Sequence, residues 1–274
     1  MEKREYVHGY SEREERRLID QATTLTDLLH RDTSYPSGDT VLEVGCGVGA
    51  QTVALARFSP EAKIVSMDIS LESIEIAKKR VVNGGYTNVT FHQADLYHLP
   101  FPDECFDHIF LCFVLEHIAA PQEALKYLKA KLKKGATITV IEGDHGSTYF
   151  HPKSREASKT IQCLIDIQAA MKGDSLIGRQ LYPLLSQTGF ENIAVSPRMV
   201  YVDSSKPELV KGFTVNTFIA MVESVRDRAI GMNLIDESTW EKGIKDLYAT
   251  TKPSGTFCYT FFKGFGVKGG RASK

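Results

Sequence analysis

The sequence has no long apolar run. Its longest strictly apolar stretch, residues 109–115, is seven residues long, whereas a helix that spans a bilayer needs about 20. The first residues, Met1-Glu-Lys-Arg-Glu-Tyr6, also lack the apolar segment of a secretory signal. We therefore expect no membrane partner and a cytoplasmic location.

Cysteine pairs and excess charge of one sign are missing as well. The five cysteines are odd in number and form no Cys-x-x-Cys pair, which predicts reduced thiols without a disulfide framework or a zinc site. Lys and Arg total 33 against 34 Asp and Glu, a formal net charge of -1. Because a nucleic-acid binder needs a basic excess, we expect no nucleic-acid partner.

The chain does contain short strands alternating with helices from Thr40 onward, the pattern of βαβ units on a parallel sheet. Its 274 residues, 42% hydrophobic and 24% charged, suit one large globular domain or a core with a cap. We predict an α/β, Rossmann-like fold. The seven predicted strands are residues 41–44, 63–67, 88–92, 106–113, 136–142, 190–202 and 256–263.

The segments outside these strands are predicted to be helical. An amphipathic helix is expected over residues 11–30, where apolar residues recur at helical spacing. Two longer segments interrupt the strand rhythm and are interpreted as helical insertions that form a lid. The predicted organisation is an N-terminal helical cap at 1–39, a main domain at 40–267 with insertions at 143–177 and 203–255, and a flexible tail at 268–274.

A glycine-rich loop lies between the first predicted strand and the helix after it, in Glu43-Val-Gly45-Cys-Gly47-Val-Gly49. Such a loop leaves backbone N–H groups free at the positive end of a helix and lets a ligand approach closely. The spacing also satisfies the dinucleotide fingerprint. The loop therefore predicts a nucleotide-type ligand, the alternative being a tight turn without one.

Acidic residues near the ends of the first three predicted strands narrow the choice of ligand. Asp68 ends the second strand, 19 residues after Gly49, where a carboxylate can bind the ribose hydroxyls of NAD or of S-adenosylmethionine (SAM). Glu43 suits a cationic α-amino group better than a pyrophosphate, and Asp95 can accept a hydrogen bond from the adenine amine. These residues favour SAM.

With these motifs in order, the sequence resembles the class I SAM-dependent methyltransferases, in particular the small-molecule and quinone-type group. The motifs are residues 41–49, 65–68, 93–95, Leu115-Glu-His117 and Leu132-Lys-Lys-Gly135. The resemblance implies a seven-stranded methyltransferase sheet whose last strand is antiparallel. It also implies that SAM lies across the carboxyl ends of the strands and leaves as S-adenosylhomocysteine.

The resemblance also implies individual roles. The methionine part of SAM would contact Glu43 and the loop with Gly45, Cys46, Gly47 and Gly49. Asp68 would bind the ribose and Asp95 the adenine amine, while Ile69 and Leu96 would sandwich the adenine ring. From the N-terminal helix, Tyr10 and Gln21 are candidates to close over SAM. Aromatic faces suit the sulfonium cation, which makes Tyr10, Phe113 and Tyr149 candidate neighbours.

Methyl transfer from a sulfonium is an in-line displacement that needs alignment and exclusion of water more than acid catalysis. If the acceptor is a hydroxyl, a thiol or an acidic carbon, it also needs a base. His117, His145 and Tyr149 are the candidate catalytic residues, although His117 could instead cap the loop backbone. Asp144, His145 and His151 match no usual metal spacing, so no metal is expected.

Three functions remain open on the sequence. The favoured one is a methyltransferase that acts on a small molecule enclosed by the insertions. In the second, a SAM-dependent methyltransferase acts on a protein or an RNA docked on those helices. In the third, an NAD-dependent oxidoreductase uses the same glycine loop. The amine-methylating motif with Pro-Pro and an aromatic residue is absent after the fourth strand, where the chain reads Cys112-Phe-Val-Leu-Glu116.

Overall fold

A computed structural model describes Arg17 and residues 24–270 of the chain. The described residues divide into two compact units. The sheet unit contains Thr26–Glu142, Ile177–Arg198 and residues 261–270. The helical unit contains Arg17, residues 24–25, Gly143–Leu176 and Met199–Thr260.

The described chain forms one seven-stranded mixed sheet with the order β3-β2-β1-β4-β5-β7-β6. Strands β1 to β5 pair in parallel along β3-β2-β1-β4-β5, so the carboxyl ends of these strands meet at one edge. The predicted α/β fold with seven strands is confirmed. The strands are β1 Thr40–Val44, β2 Lys63–Asp68, β3 Val89–Gln93, β4 Phe106–Cys112, β5 Leu132–His151, β6 Phe190–Asp203 and β7 Thr256–Lys268.

Helices connect the strands, and two of them begin where the sequence places their start signals. Ser70 Oγ accepts a hydrogen bond from Ser73 N at 3.2 Å as an N-cap, and Pro121 occupies the first turn of its helix. The helices are α1 at residues 24–30, α2 Ala50–Phe58, α3 Leu71–Asn83, α4 Pro121–Lys131, α5 Arg155–Ala170, α6 Leu181–Gln187, α7 Pro207–Leu209, α8 Ala220–Glu223, α9 Arg226–Gly231 and α10 Glu237–Ala249. A π-helix covers Val210–Ile219, and 3₁₀ turns cover Leu115–His117 and Ile177–Gln180.

Within the part of the chain just described, no helix combines the length and the apolar character needed to cross a bilayer. Of the helix predicted over residues 11–30, the structure describes Arg17 and residues 24–30, all of them helical. Tyr10 and Gln21, the two cofactor contacts predicted on this segment, lie outside the described residues.

The chain after Glu142 differs from the sequence-based expectation. Strand β5 continues to His151 and α5 begins only at Arg155, whereas the pattern predicted helical structure from residue 143. In this extension Ser147 Oγ accepts from Thr260 N at 3.0 Å and lies 3.3 Å from Thr260 O. The β-branched and aromatic residues at 148–150 also favour an extended backbone.

The core of the sheet unit supports the edge at which the strands end. One face of the sheet packs alternate residues of β1, β4 and β5 against α4 and α6, which gives a close-packed support with little freedom. Leu125, Leu128 and Leu132 are all fully buried in this core. The cluster includes Leu42, Val44, Ile109, Leu111, Ile138, Val140, Leu181 and Leu185.

The helical unit has an aromatic core of its own. The rings of Phe213, Phe218, Phe257 and Tyr259 lie with their centroids 4.8 to 6.0 Å apart in the contacting pairs, at tilted angles that suit aromatic contacts. All four side chains are buried. The predicted base His145 packs against this cluster.

Candidate cofactor site

The glycine loop joins β1 to α2 at the carboxyl edge of the sheet. Gly45, Gly47 and Gly49 have φ angles of 70°, 50° and 76°, in the left-handed region that favours glycine. A Cβ at Gly45 would lie 2.7 Å from Val114 Cγ2, whereas one at Gly47 would meet no described atom within 4 Å. The loop thus packs against the segment after β4 at Gly45 and borders open space at Gly47.

Asp68 ties the loop to the end of β2. Its Oδ2 accepts a hydrogen bond from Gly47 N at 2.8 Å, and its Oδ1 accepts one from Ser70 N at 2.9 Å. Burial raises the pKa of this carboxyl above its usual value, although the backbone N–H groups of Ser70 and Gly47 act in the opposite direction. The predicted ribose-binding carboxylate therefore lies directly beside the glycine loop.

Glu43 lies beneath the loop, in β1, and is only 2% exposed. Its Oε2 accepts hydrogen bonds from Thr52 Oγ1 at 2.7 Å and from Ser66 Oγ at 2.6 Å. Burial raises its pKa to about 7, the two hydroxyls oppose the rise, and the charge of Asp68 adds to it. Asp68 and Glu43 thus place two carboxyl groups next to the loop. These groups accept hydrogen bonds from neutral hydroxyls and backbone N–H groups.

Glu43→Gln is expected to change how stability depends on pH. In the folded protein the pKa of Glu43 is about 7, against an ordinary glutamate value of 4.5, so the folded state holds this proton more tightly. Stability therefore falls as pH rises between these two values. Urea denaturation should show the variant more stable than the original by about 3 kcal/mol at pH 8 and nearly equal below pH 4.5.

The matched control for this variant is Glu75→Gln, which changes an exposed carboxylate on α3 that pairs with Lys78. We expect an effect below about 0.5 kcal/mol at every pH, as for other exposed ion pairs. A stability difference for Glu43→Gln that stays constant from pH 4.5 to 8 would contradict the assignment.

The turn after β3 lies beside Asp68. Asp68 pairs with Gln93 in the parallel register, and Ala94 N donates to Asp68 O at 3.0 Å. Asp95 Oδ1 then accepts from Tyr97 N at 3.0 Å. The structure therefore brings Asp95 to the same edge as Asp68.

The two residues predicted to sandwich adenine differ in accessibility. Ile69 is 36% exposed directly after β2, whereas Leu96 is 7% exposed and belongs to the apolar core of the sheet unit. Cys46, within the glycine loop, is also buried. Ile69 is thus available to a ring at this edge, while Leu96 presents only a small part of its surface.

The segment after β4 turns sharply at Phe113, which has a φ of 59°. Phe113 N donates to Ile141 O at 2.9 Å, and its ring centroid lies 5.6 Å from that of Phe261. The chain then forms the 3₁₀ turn Leu115–His117. This turn places Phe113 and His117 after the carboxyl end of β4.

Glu142 holds this turn in place and was not predicted as a functional residue. Its Oε1 accepts from Val114 N at 3.0 Å and from Leu115 N at 2.7 Å. Oε2 is buried and has no hydrogen-bond partner among the described residues. Burial, followed by the charge of Glu116, raises the pKa of Glu142 well above its usual range. Its position as the last residue of the predicted fifth strand was the sequence feature that could have indicated a functional role.

Glu142→Ala is expected to destabilise the protein by about 2 to 4 kcal/mol, because the buried N–H of Leu115 and the partly buried N–H of Val114 lose their acceptor and a cavity forms. Glu142→Gln keeps an acceptor oxygen and should cost less than about 1 kcal/mol at pH 7. Urea denaturation of both variants checks this prediction. Equal losses for Ala and Gln would show that Oε1 does not hold the turn.

The three predicted catalytic residues belong to different units. His117, in the sheet unit, has its Nε2 3.5 Å from Glu116 Oε1. In the helical unit, His145 is buried with its Nδ1 2.7 Å from the Tyr259 hydroxyl, and Tyr149 is 70% exposed. Neither unit therefore contains all three residues.

Metal ligands do not cluster in the described part of the chain, where no group of three or more His, Cys, Asp or Glu side chains could hold a metal ion. The five cysteines, at positions 46, 105, 112, 163 and 258, are free thiols.

The sheet order, the glycine loop and the acid at the end of β2 are the arrangement typical of α/β proteins that bind a nucleoside-type ligand at the carboxyl edge of their strands. Residues 36–189 match the family described as methyltransferase domain, and this match covers more than half of the 274 residues. The chain belongs to this family, that of the class I SAM-dependent methyltransferases.

Two relatives illustrate the sequence similarity. An uncharacterized methyltransferase of Schizosaccharomyces pombe is 33% identical over 134 residues, which are 45% of this chain and 47% of the relative. The ubiquinone/menaquinone biosynthesis C-methyltransferase UbiE of Pseudomonas paraeruginosa is 31% identical over 123 residues, 44% of this chain and 48% of that protein. The chain spans about half the length of the curated relatives it matches.

Solved structures share the fold at low identity. A putative methyltransferase of Bacillus halodurans has a TM-score of 0.56 at 14% identity, with 92% of this chain and 99% of that chain covered. The [4+2]-cyclase SpnF has a TM-score of 0.54 at 19% identity, with 91% and 80% covered. Because one fold carries different reactions in these proteins, the reaction has to be argued from the site.

Proposed function

We propose that the protein transfers a methyl group from SAM to a small-molecule acceptor by in-line displacement. The observation that carries this proposal is the glycine loop, in which Gly47 N bonds to Asp68 and a Cβ at Gly47 would meet no described atom within 4 Å, with the buried Glu43 near the end of the strand before it. The ionised carboxylates of Asp68 and Glu43 would repel the pyrophosphate of NAD, whereas a cationic ligand would stabilise their charged forms and so oppose the effect of burial on their pKa values. SAM carries such cations in its α-amino and sulfonium groups.

The residues present fit this ligand. The loop Gly45–Gly49 would contact the methionine part, and Asp68 would accept from the ribose hydroxyls while it keeps its bond to Gly47. Asp95 Oδ1 is bonded to Tyr97 N, which leaves Oδ2 for the adenine amine. Ile69 offers an exposed apolar face to the ring. Glu43 would act from beneath the loop.

SAM supplies an electrophilic methyl group, so the chain has to align the acceptor and exclude water. Phe113, at the turn after β4, is a candidate neighbour of the sulfonium. For an acceptor that must lose a proton, we propose His117 as the base, because Glu116 lies 3.5 Å from its Nε2 and can stabilise the imidazolium. The roles of His145 and Tyr149 stay predictions, as do those of Tyr10 and Gln21.

A calorimetric titration tests the cofactor. S-adenosylhomocysteine should bind the purified protein with a dissociation constant below about 100 µM, whereas NADH should not bind in the same range. Tight NADH binding without a response to SAM or S-adenosylhomocysteine would overturn the proposal and favour an oxidoreductase.

The acceptor class needs a separate measurement. We propose a small molecule because the formal charge is -1 and because one relative is named for ubiquinone and menaquinone biosynthesis. With methyl-labelled SAM and a fractionated cell extract, label should enter the low-molecular-mass fraction. Label confined to protein or RNA would refute the small-molecule acceptor and leave methyl transfer itself standing.

A further inference from the structure

A polar cavity of about 340 Å³ lies in the sheet unit, outside the candidate cofactor site. It is bounded by the segment after α1 and by strands β4 to β7. Its volume falls within the range of small-ligand sites. The lining residues that carry the argument are Asp32, Tyr35, Thr139, Ser196, Arg198 and Lys263.

The cavity is separate from the glycine loop along the strands. His108 of β4 and Thr137 of β5 line it and pair with each other. His108 also pairs with Val41 of β1. Gly45 comes four residues after Val41, which corresponds to roughly 13 Å along a strand. Thr139, further along β5, pairs with Phe110 in register with Glu43. The cavity therefore extends from the beginning of these strands to the level of Glu43, and none of its lining residues belongs to the glycine loop.

Two buried cations dominate the charge of this cavity. Arg198 and Lys263 are each 8% exposed, and both form ion pairs with Asp32, Lys263 at 2.6 Å and Arg198 through Nη2. Burial tends to raise the pKa of Asp32, but hydrogen bonds from Lys263 and Arg198 hold it at about 2. Two cations and one carboxylate leave one positive charge in excess.

The cavity also offers hydrogen-bond donors. Arg198 Nε donates to Ser196 Oγ at 3.3 Å and Nη2 to Asp32, while Nη1 makes no hydrogen bond with the described residues. The Tyr35 hydroxyl is buried beside Thr139 without a hydrogen bond of acceptable geometry among those residues. Buried polar groups of this kind cost free energy unless a partner satisfies them.

We propose that this cavity binds a small oxyanion, a phosphate or carboxylate group, through Arg198 Nη1, the Tyr35 hydroxyl and the charge of Lys263. Guanidinium groups bind both kinds of oxyanion through paired N–H donors. One net positive charge and unpaired donors in a cavity are satisfied together by a monoanionic group. This inference does not depend on methyl transfer, since none of these residues belongs to the glycine loop.

The test is calorimetric titration of the full-length protein with inorganic phosphate and, separately, with acetate, in the presence of saturating S-adenosylhomocysteine. Saturable phosphate binding with a dissociation constant below about 1 mM is expected. Tighter binding of phosphate than of acetate would identify phosphate as the ligand group, and the reverse order a carboxylate. Saturation with neither anion would overturn the proposal.

Variants locate the binding. Arg198→Gln should weaken the binding at least tenfold, whereas Asp32→Asn should strengthen it, because it removes the carboxylate that competes for both cations. Arg57→Gln, an exposed arginine on α2 outside the cavity, should leave it unchanged. Circular dichroism checks folding, and if Arg198→Gln fails to fold, Asp32→Asn decides. Unchanged or weaker binding by Asp32→Asn, or unchanged binding by a folded Arg198→Gln, would overturn the proposal.

Discussion

Replacing Asp68 with alanine is expected to weaken the binding of S-adenosylhomocysteine at least tenfold, a loss of about 1.4 kcal/mol or more. The proposed ligand loses the carboxylate that accepts from its ribose hydroxyls. The Gly47 N–H also loses its acceptor at 2.8 Å, so the loop becomes less ordered before the ligand arrives. Calorimetric titration of the variant measures the effect.

The fold of this variant should remain intact, because the N–H groups of Gly47 and Ser70, which lose Asp68 as their acceptor, are only partly buried and can bond to water. Glu75→Ala is the control, since it removes an exposed carboxylate from α3 in the same unit. Its affinity should equal that of the original protein. An unchanged affinity for a folded Asp68→Ala protein would mean that the ribose site is elsewhere.

Alanine at Gly45 is expected mainly to lower stability, whereas alanine at Gly47 is expected mainly to weaken ligand binding. Gly45→Ala places a Cβ 2.7 Å from Val114 Cγ2 at a φ of 70°, so we expect a loss of about 2 to 4 kcal/mol in stability. Gly47→Ala places a Cβ that meets no described atom within 4 Å, at a φ of 50°, and should cost only about 1 kcal/mol. It should nevertheless weaken S-adenosylhomocysteine binding about tenfold or more, because its methyl group occupies the ligand's approach.

A second substitution separates steric clash from backbone strain. In Gly45→Ala/Val114→Ala the clashing methyl group is gone, so part of the lost stability should return while the cost of the positive φ remains. Urea denaturation of the single and double variants measures the coupling free energy between positions 45 and 114. If Gly45→Ala is as stable as Gly47→Ala, the close approach to Val114 does not exist in solution.

Local patterns predicted most of the sheet unit. The cap at Ser70, the proline at 121 and the glycines at the ends of elements act over a few residues, so their effect can be read from neighbours in the chain. The position of Asp68 beside the glycine loop followed from the same logic, because parallel strands bring their carboxyl ends to one edge.

Other features depended on partners far away in sequence. The extension of β5 to His151 is accompanied by hydrogen bonds between Ser147 and Thr260, a pairing that no local pattern of residues 143–151 contains. In the sequence Glu142 is an ordinary strand end. Only in the folded chain does its carboxylate accept hydrogen bonds from the N–H groups of Val114 and Leu115. The ligand contact of Glu43 stays a prediction, and the partners of its Oε2, Thr52 and Ser66, come from α2 and β2.

The sequence by itself determined the family and the type of ligand. Both depend on short motifs at the ends of successive strands, and the chemistry of each motif is local. Only the tertiary structure decided which groups are buried and which meet across the sheet. The polar cavity shows the reason: Asp32, Arg198 and Lys263 are separated by 65 to 231 residues, and only the packing of β6 and β7 against the segment after α1 brings their charges together.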